Sequence, residues 1–212
     1  MRNANTLVIA STNRHKVEEF AELLKPWPSI RIASASEHLR NADKLSLVEV
    51  SESYRENALA KARACNHGCH YPSLSDDSGL EVDALGGRPG IRSHRFATPV
   101  AGQTQDESNI KKLLAELKGT PKEKRTARFV CHLALVIEGR MIEVSGTLEG
   151  TIAEEPHGNG GFGYDPVFIP AGESRTLAEL GADFKNRISH RALAVRALME
   201  EIKRQELVLA RP

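Results

Sequence analysis

The run TARFVCHLALVI, Thr126 to Ile137, constrains the fold of this chain more than any other stretch. Ala127, Phe129, Cys131, Leu133, Leu135 and Ile137 alternate with their neighbours, so an extended strand would turn one fully apolar face to a core. Glu138-Gly139-Arg140 reads as a turn, and MIEVSGTLEGTI as the partner strand running back. A hairpin this long needs helices to cover it.

The chain supplies them. LVIA (Leu7 to Ala10) reads as a short buried strand, with Ser11, Thr12 and Asn13 as possible cap residues. Val17, Phe20, Ala21 and Leu24 then recur at helical spacing until Pro26 and Pro28. IRIAS (Ile30 to Ser34) reads as a second strand. Further helices are expected from about Ser53 to Asn66, around Asp106 to Lys118, and from Ser189 to about Arg204. The pattern predicts an α/β fold with a mixed sheet, one domain spanning 1–212 with room for two lobes.

Charge excludes some partners. With 29 basic against 28 acidic residues the formal net charge is +1, so neither nucleic acid nor an anionic membrane is an expected partner, and any anion site must be built locally. LALVI is far too short to span a bilayer, and the first residues lack the apolar core of a signal peptide. Three cysteines, an odd number, point away from a disulfide scaffold and towards a reducing compartment; the cytoplasm is the expectation.

Several segments carry candidate chemistry. STNRHK (Ser11, Thr12, Asn13, Arg14, His15, Lys16) lies where a strand becomes a helix, a place that favours an anion but is equally served by ordinary capping. It is not a Walker A loop. HGNGGFGYDPVF matches GxGxxG at Gly158, Gly160 and Gly163, yet the proline after Tyr164-Asp165 blocks the helix that a dinucleotide fingerprint requires. That loop suits a close approach to a flat ligand, with Phe162 or Tyr164 as a stacking face; a turn with aromatics folded inward is the alternative. CNHGCH (Cys65 to His70) lacks a second Cys/His pair for zinc and reads as a helix end stopped by Gly68. KNRISHR sets Lys185, Arg187, His190 and Arg191 around another helix start, suited to a base or phosphates or simply to a basic surface. In SDDSGL, Asp76 and Asp77 would leave opposite faces of a strand, so Asp77, nearer a turn expected at Gly79, takes the site and Asp76 a supporting role.

STNRHK, SDDSGLEVDALGGRPGIRS, GGFGYDPVF and ISHR occur in that order and at suitable separations. This set resembles the inosine/xanthosine triphosphate pyrophosphatase family over nearly the whole chain, from Leu7 to the last helix. The resemblance implies an elongated two-lobed α/β fold, with a central mixed sheet flanked by helices, an active-site cleft between the lobes, and a homodimer. It implies Mg²⁺-dependent hydrolysis of dITP, ITP and XTP between the α- and β-phosphates. By the same likeness, Ser11 to Lys16 bind triphosphate, Glu49 and Asp77 hold the metal, Asp77 accepts the proton, Lys61 reaches the phosphates and Ser78 contacts substrate. Phe162, Gly163, Tyr164 and Asp165 form the base loop, and Lys185, His190 and Arg191 hold the purine and its 6-oxo group. Many members carry Glu-x-Thr-Gly near the metal glutamate; here the run is Glu49-Val50-Ser51-Glu52. Donors aimed at O6 would meet the amino group of adenine and lose a buried hydrogen bond, a cost of about 1–3 kcal/mol per contact. The alternatives are a catalytically silent nucleotide binder on the same scaffold and a pyrophosphatase of different base preference.

Overall fold

In the computed structural model, residues 5–27 and 30–207 are described. Pro28, read above as part of a helix stop, lies outside them. The chain divides into two compact units, one made of Met1–Asp77, Cys131–Gly146 and Arg191–Pro212, the other of Ser78–Val130 and Thr147–His190.

The strands are β1 (Thr6–Ile9), β2 (Arg31–Ser34), β3 (Ser73–Val82), β4 (Pro89–Gly90), β5 (Thr126–Ile137), β6 (Arg140–Ile152) and β7 (Phe168–Pro170). They hydrogen-bond in the order β2-β1-β3-β5-β6-β7, with β4 on β3. The sheet is mixed: β1 runs parallel to β2 and β3, whereas β4 is antiparallel to β3 and β7 to β6. The helices are α1 (Arg14–Leu23), α2 (Ala35–His38), α3 (Tyr54–Cys69), α4 (Gln105–Glu116), α5 (Leu177–Leu180), α6 (Ala182–Ile188) and α7 (His190–Arg204).

Alternation along the strands builds the core of the first unit. Leu7 and Ile9 of β1 join Leu133, Leu135 and Ile137 of β5, Phe20 of α1 and Leu198 of α7. Val8, on the opposite face of β1, and Ala10, just past its end, pack with Cys65 of α3, and Ala58 and Ala62 of α3 meet Ala134 and Val136 of β5. The sheet of this unit is thus covered on both faces. The single apolar face expected for β5 holds only for its first half, because Leu133 to Ile137 are buried at every position. Each large side chain so buried contributes about 1.5–3 kcal/mol. The second unit has its own core, in which Leu80, Leu113, Phe129, Tyr164 and Phe168 pack together.

Two local expectations are corrected. Helix α3 runs through Gly68 and ends at His70, which takes the left-handed conformation at φ 59° and closes the helix by donating its amide to the Asn66 carbonyl. A Cβ on Gly68 would lie 2.7 Å from a terminal methyl of Leu39, so Leu39 packs on that glycine. Strand β3 also continues through Gly79 to Val82; the chain turns at Gly86 and Gly87, at φ 64° and 84°.

Candidate active site

The first unit gathers the carboxylates. Asp76 and Asp77 are successive residues of β3 and leave it on opposite faces. Asp76, 2% exposed, accepts from Lys16 Nζ through both oxygens at 3.1 and 3.0 Å, and from Arg191 Nε at 3.3 Å. Arg191 Nη1 donates to Glu19 Oε2 at 3.0 Å. Burial alone would raise the Asp76 pKa; the charges of Lys16, Arg191 and Lys61 outweigh it and hold the carboxyl well below the usual range.

Asp77 engages α3 instead. Asn57 Nδ2 donates to Asp77 Oδ2 at 3.0 Å. Lys61, one helical turn further on, places Nζ 2.5 Å from Glu49 Oε1 and 2.5 Å from the Asp76 carbonyl oxygen. Burial pushes the Asp77 carboxyl up to about 6 against the pull of Lys61 and the Asn57 bond, and the like charge of Glu49 adds to the rise. Burial opposes the Lys61 ammonium, but Asp76, Glu49 and Asp77 together lift its pKa above the ordinary lysine value. Lys16, Glu49, Lys61, Asp76 and Asp77 therefore form one electrostatic cluster.

The STNRHK run divides in its roles. Asn13 is the N-cap of α1, its side-chain oxygen accepting from the Lys16 amide at 3.2 Å, and Ser11 Oγ accepts from the Asn13 amide. Thr12, Arg14 and His15 are exposed, and Arg14 pairs with Glu18 at 2.7 Å. Lys16 is the member that joins the carboxylates.

The second unit holds the glycine-rich loop. Asp165, 2% exposed, accepts from Lys185 Nζ at 2.7 Å and from the Phe162 amide at 3.0 Å, and Lys185 Nζ stands 4.3 Å from the centre of the Phe162 ring. A Cβ on Gly161 would lie 2.0 Å from Asp165 Oδ2, so only glycine admits that carboxylate. Tyr164 offers no stacking face: it is 4% exposed and donates its hydroxyl to the Ser93 carbonyl at 2.8 Å. Phe162 is half-buried and keeps the stacking role open. His190 is buried with its ring stacked on Phe129, centroids 4.8 Å apart and planes 13° from parallel. Lys185, His190 and Arg191 are all buried, so KNRISHR is no basic surface; Arg187 alone of its four highlighted residues is exposed. Ser78 is half-buried on β3.

Sequence reasoning missed three residues that organise these groups. Asn57 could have been found from its position four residues before Lys61 on the same helix. Glu19, the buried partner of Arg191, and Asp106, which accepts from the Gly163 amide at 2.7 Å, carry no local signal.

A mixed sheet under helices, with Lys16 and Lys61 gathered among the carboxylates of Glu49, Asp76 and Asp77, defines an α/β protein with a buried cluster of opposite charges in its first unit. The comparisons with known proteins narrow this class. The chain belongs to the Ham1 family, whose model matches residues 7–201. It is 45% identical over 201 residues to a dITP/XTP pyrophosphatase of Bacillus subtilis (strain 168), covering 90% of this chain and 93% of that one. It is 46% identical over 196 residues to a dITP/XTP pyrophosphatase of Geobacillus kaustophilus (strain HTA426), covering 92% and 93%. Among solved structures, the Ham1 protein of Staphylococcus aureus superimposes with a TM-score of 0.79 at 34% identity, over 94% of this chain and 99% of that one. A HAM1 protein from Coxiella burnetii gives 0.78 at 36% identity, over 94% and 98%.

Proposed function

We propose that this protein hydrolyses deaminated purine nucleoside triphosphates (dITP, ITP and XTP or dXTP) to the monophosphate and pyrophosphate, and so clears them from the nucleotide pool. The observation that carries this reading is the cluster in which Lys61 joins Glu49 to the Asp76–Asp77 backbone while Lys16 grips Asp76. Relatives named dITP/XTP pyrophosphatase, at 45 and 46% identity, support the substrate class.

The donor set fits Mg²⁺. Glu49 and Asp77 are hard oxygen ligands held around one lysine, and no grouping of three or more His, Cys, Asp or Glu suited to a metal occurs among the described residues. A cation bound by one or two carboxylates and completed by substrate phosphates needs no more. Bound there, Mg²⁺ would neutralise phosphate charge and make a coordinated water a better nucleophile. Glu49 and Asp77 would hold it. Asp77 would orient a water and take its proton as the water oxygen bonds to the α-phosphorus, while Lys16, Lys61 and the α1 start would stabilise the pyrophosphate that leaves with the bridging oxygen. Ser11, Asn13 and Ser78 provide polar contacts to the substrate. Phe162 and its loop support the purine, and Lys185, His190 and Arg191 supply donors to the 6-oxo side. Three buried free thiols suit a cytoplasmic setting, and a homodimer follows from family likeness.

The test is a pyrophosphate-release assay with dITP, ITP and XTP beside dATP and dGTP, with and without Mg²⁺. Selective Mg²⁺-dependent release from the first three is expected. Equal rates on all five would end the base selectivity, and no release from any would end the enzymatic reading.

A further inference from the structure

The loop Phe162–Asp165 is held from outside by the first half of α4. Asp106, in the first turn of α4, accepts the Gly163 amide through Oδ2 at 2.7 Å. A second tie runs through Asn109, which is 2% exposed: its Nδ2 donates to the Ser93 and His94 carbonyls at 3.2 and 3.1 Å. The Ser93 carbonyl is also the acceptor of the Tyr164 hydroxyl. Gly163 stands at φ 63°, a left-handed conformation, and its neighbour Phe162 bears the Lys185 ammonium against its ring. Asp165 secures the loop from within, through the Phe162 amide and Lys185. The direct tie at Asp106 is a short hydrogen bond from a backbone amide that Asp106 accepts. Losing it releases the turn between Phe162 and Tyr164, while Asn109 and Tyr164 keep the surrounding core in place.

We propose that Asp106 is a positioning residue for base recognition: it holds the Gly163 amide so that Phe162 and Lys185 present one fixed surface to the purine, without itself touching substrate. This rests on the function proposed above and adds a residue to it. The role is that of a hydrogen-bond acceptor, and charge is secondary.

The experiment compares wild type, Asp106→Ala and Asp106→Asn in steady-state kinetics with dITP, together with amide hydrogen exchange at Gly163. In Asp106→Ala, KM should rise roughly tenfold with kcat within about threefold, and Gly163 exchange should quicken by roughly tenfold or more. In Asp106→Asn, whose side-chain oxygen can accept the same N–H, both should return most of the way to wild type. Unchanged exchange in Asp106→Ala overturns the tie, and faster exchange with unchanged KM overturns its role in recognition. An Asn variant as impaired as the Ala variant assigns the effect to charge and overturns the proposal. Should Asp106→Ala fail to fold, wild-type KM and exchange in Asp106→Asn support the acceptor role, and a tenfold defect there overturns it. Wild type inactive on dITP would sink the proposed function, while the exchange arm would still test the tie itself.

Discussion

Asn57 ties Asp77 to the segment that carries Glu49. Its Nδ2 donates to Asp77 Oδ2 and to the Ser51 carbonyl, each at 3.0 Å, while its Oδ1 accepts the Ser51 amide at 3.0 Å. One buried side-chain amide thereby sets the register of both candidate metal carboxylates.

Replacing Asn57 by Ala should therefore loosen the pair together. We expect a loss of about 2 kcal/mol in stability, because the Ser51 amide and Asp77 lose a buried partner, and roughly a tenfold increase in the Mg²⁺ needed for half-maximal turnover. Urea unfolding and a Mg²⁺ titration of activity check this. An unaltered Mg²⁺ requirement would detach Asn57 from the proposed metal site.

Asp77 sets function against stability. Its folded pKa, about 6, lies above the ordinary carboxylate value, so the native state binds the extra proton. Stability from this group is fully present below about pH 4 and is lost as pH rises through 6. Asp77→Asn should lower kcat at least about a hundredfold, yet stabilise the metal-free protein at pH 8 by about 1–3 kcal/mol. Chemical denaturation in chelator at pH 8 and pH 4.5 decides the second point. A gain that fails to shrink at the lower pH would contradict it.

Asp76 has the opposite sign. Lys16, Arg191 and Lys61 depress its pKa against the effect of burial, so its contribution is present above the unfolded value near 4 and is lost as pH falls towards the folded value. Asp76→Asn leaves Lys16 and Arg191 buried without that charge and should cost about 3–5 kcal/mol at pH 7. Unfolding midpoints measured from pH 7 to pH 3 should fall less steeply for the variant than for wild type. Parallel curves would mean that Asp76 contributes no acid sensitivity.

The buried Lys185–Asp165 pair should show strong coupling. Lys185→Met leaves Asp165 uncompensated and is expected to destabilise by about 3–5 kcal/mol, whereas Lys185→Met with Asp165→Asn should recover a large part of that loss. A double-mutant cycle by thermal or urea unfolding measures the coupling. Strictly additive losses would show that the 2.7 Å contact carries no energy of its own.

Much of the fold was legible before any coordinates. The alternation of Ala127, Phe129 and Cys131 fixes a strand because successive side chains of extended backbone face opposite ways, and Val17, Phe20 and Leu24 mark a helix for the matching reason at 3.6 residues per turn. The motifs likewise pointed to Lys16 and Asp77 by kind and order, and the family resemblance to Lys61. Local reasoning stumbled where a neighbour distant in the chain decides. Gly68 reads as a helix stop until Leu39 is seen packed on it, and Tyr164 reads as a stacking platform until Ser93 takes its hydroxyl.

The sequence alone, then, determined the longer strands and helices, the family and the inventory of charged groups, because each depends on residues within a few positions or on motif identity, whereas short elements such as α2, α5 and β7 went unread. Tertiary structure decided which charges meet: Asp76 finds Lys16 60 positions away and Arg191 115 positions away, and Glu19 lies 172 from Arg191. Such pairs exist only once the strands are laid side by side and the helices close over them. Their surroundings then set two adjacent aspartates apart: Lys16, Arg191 and Lys61 hold one ionised against its burial, whereas burial pushes the other up to about 6, a difference that two identical letters in a row cannot express.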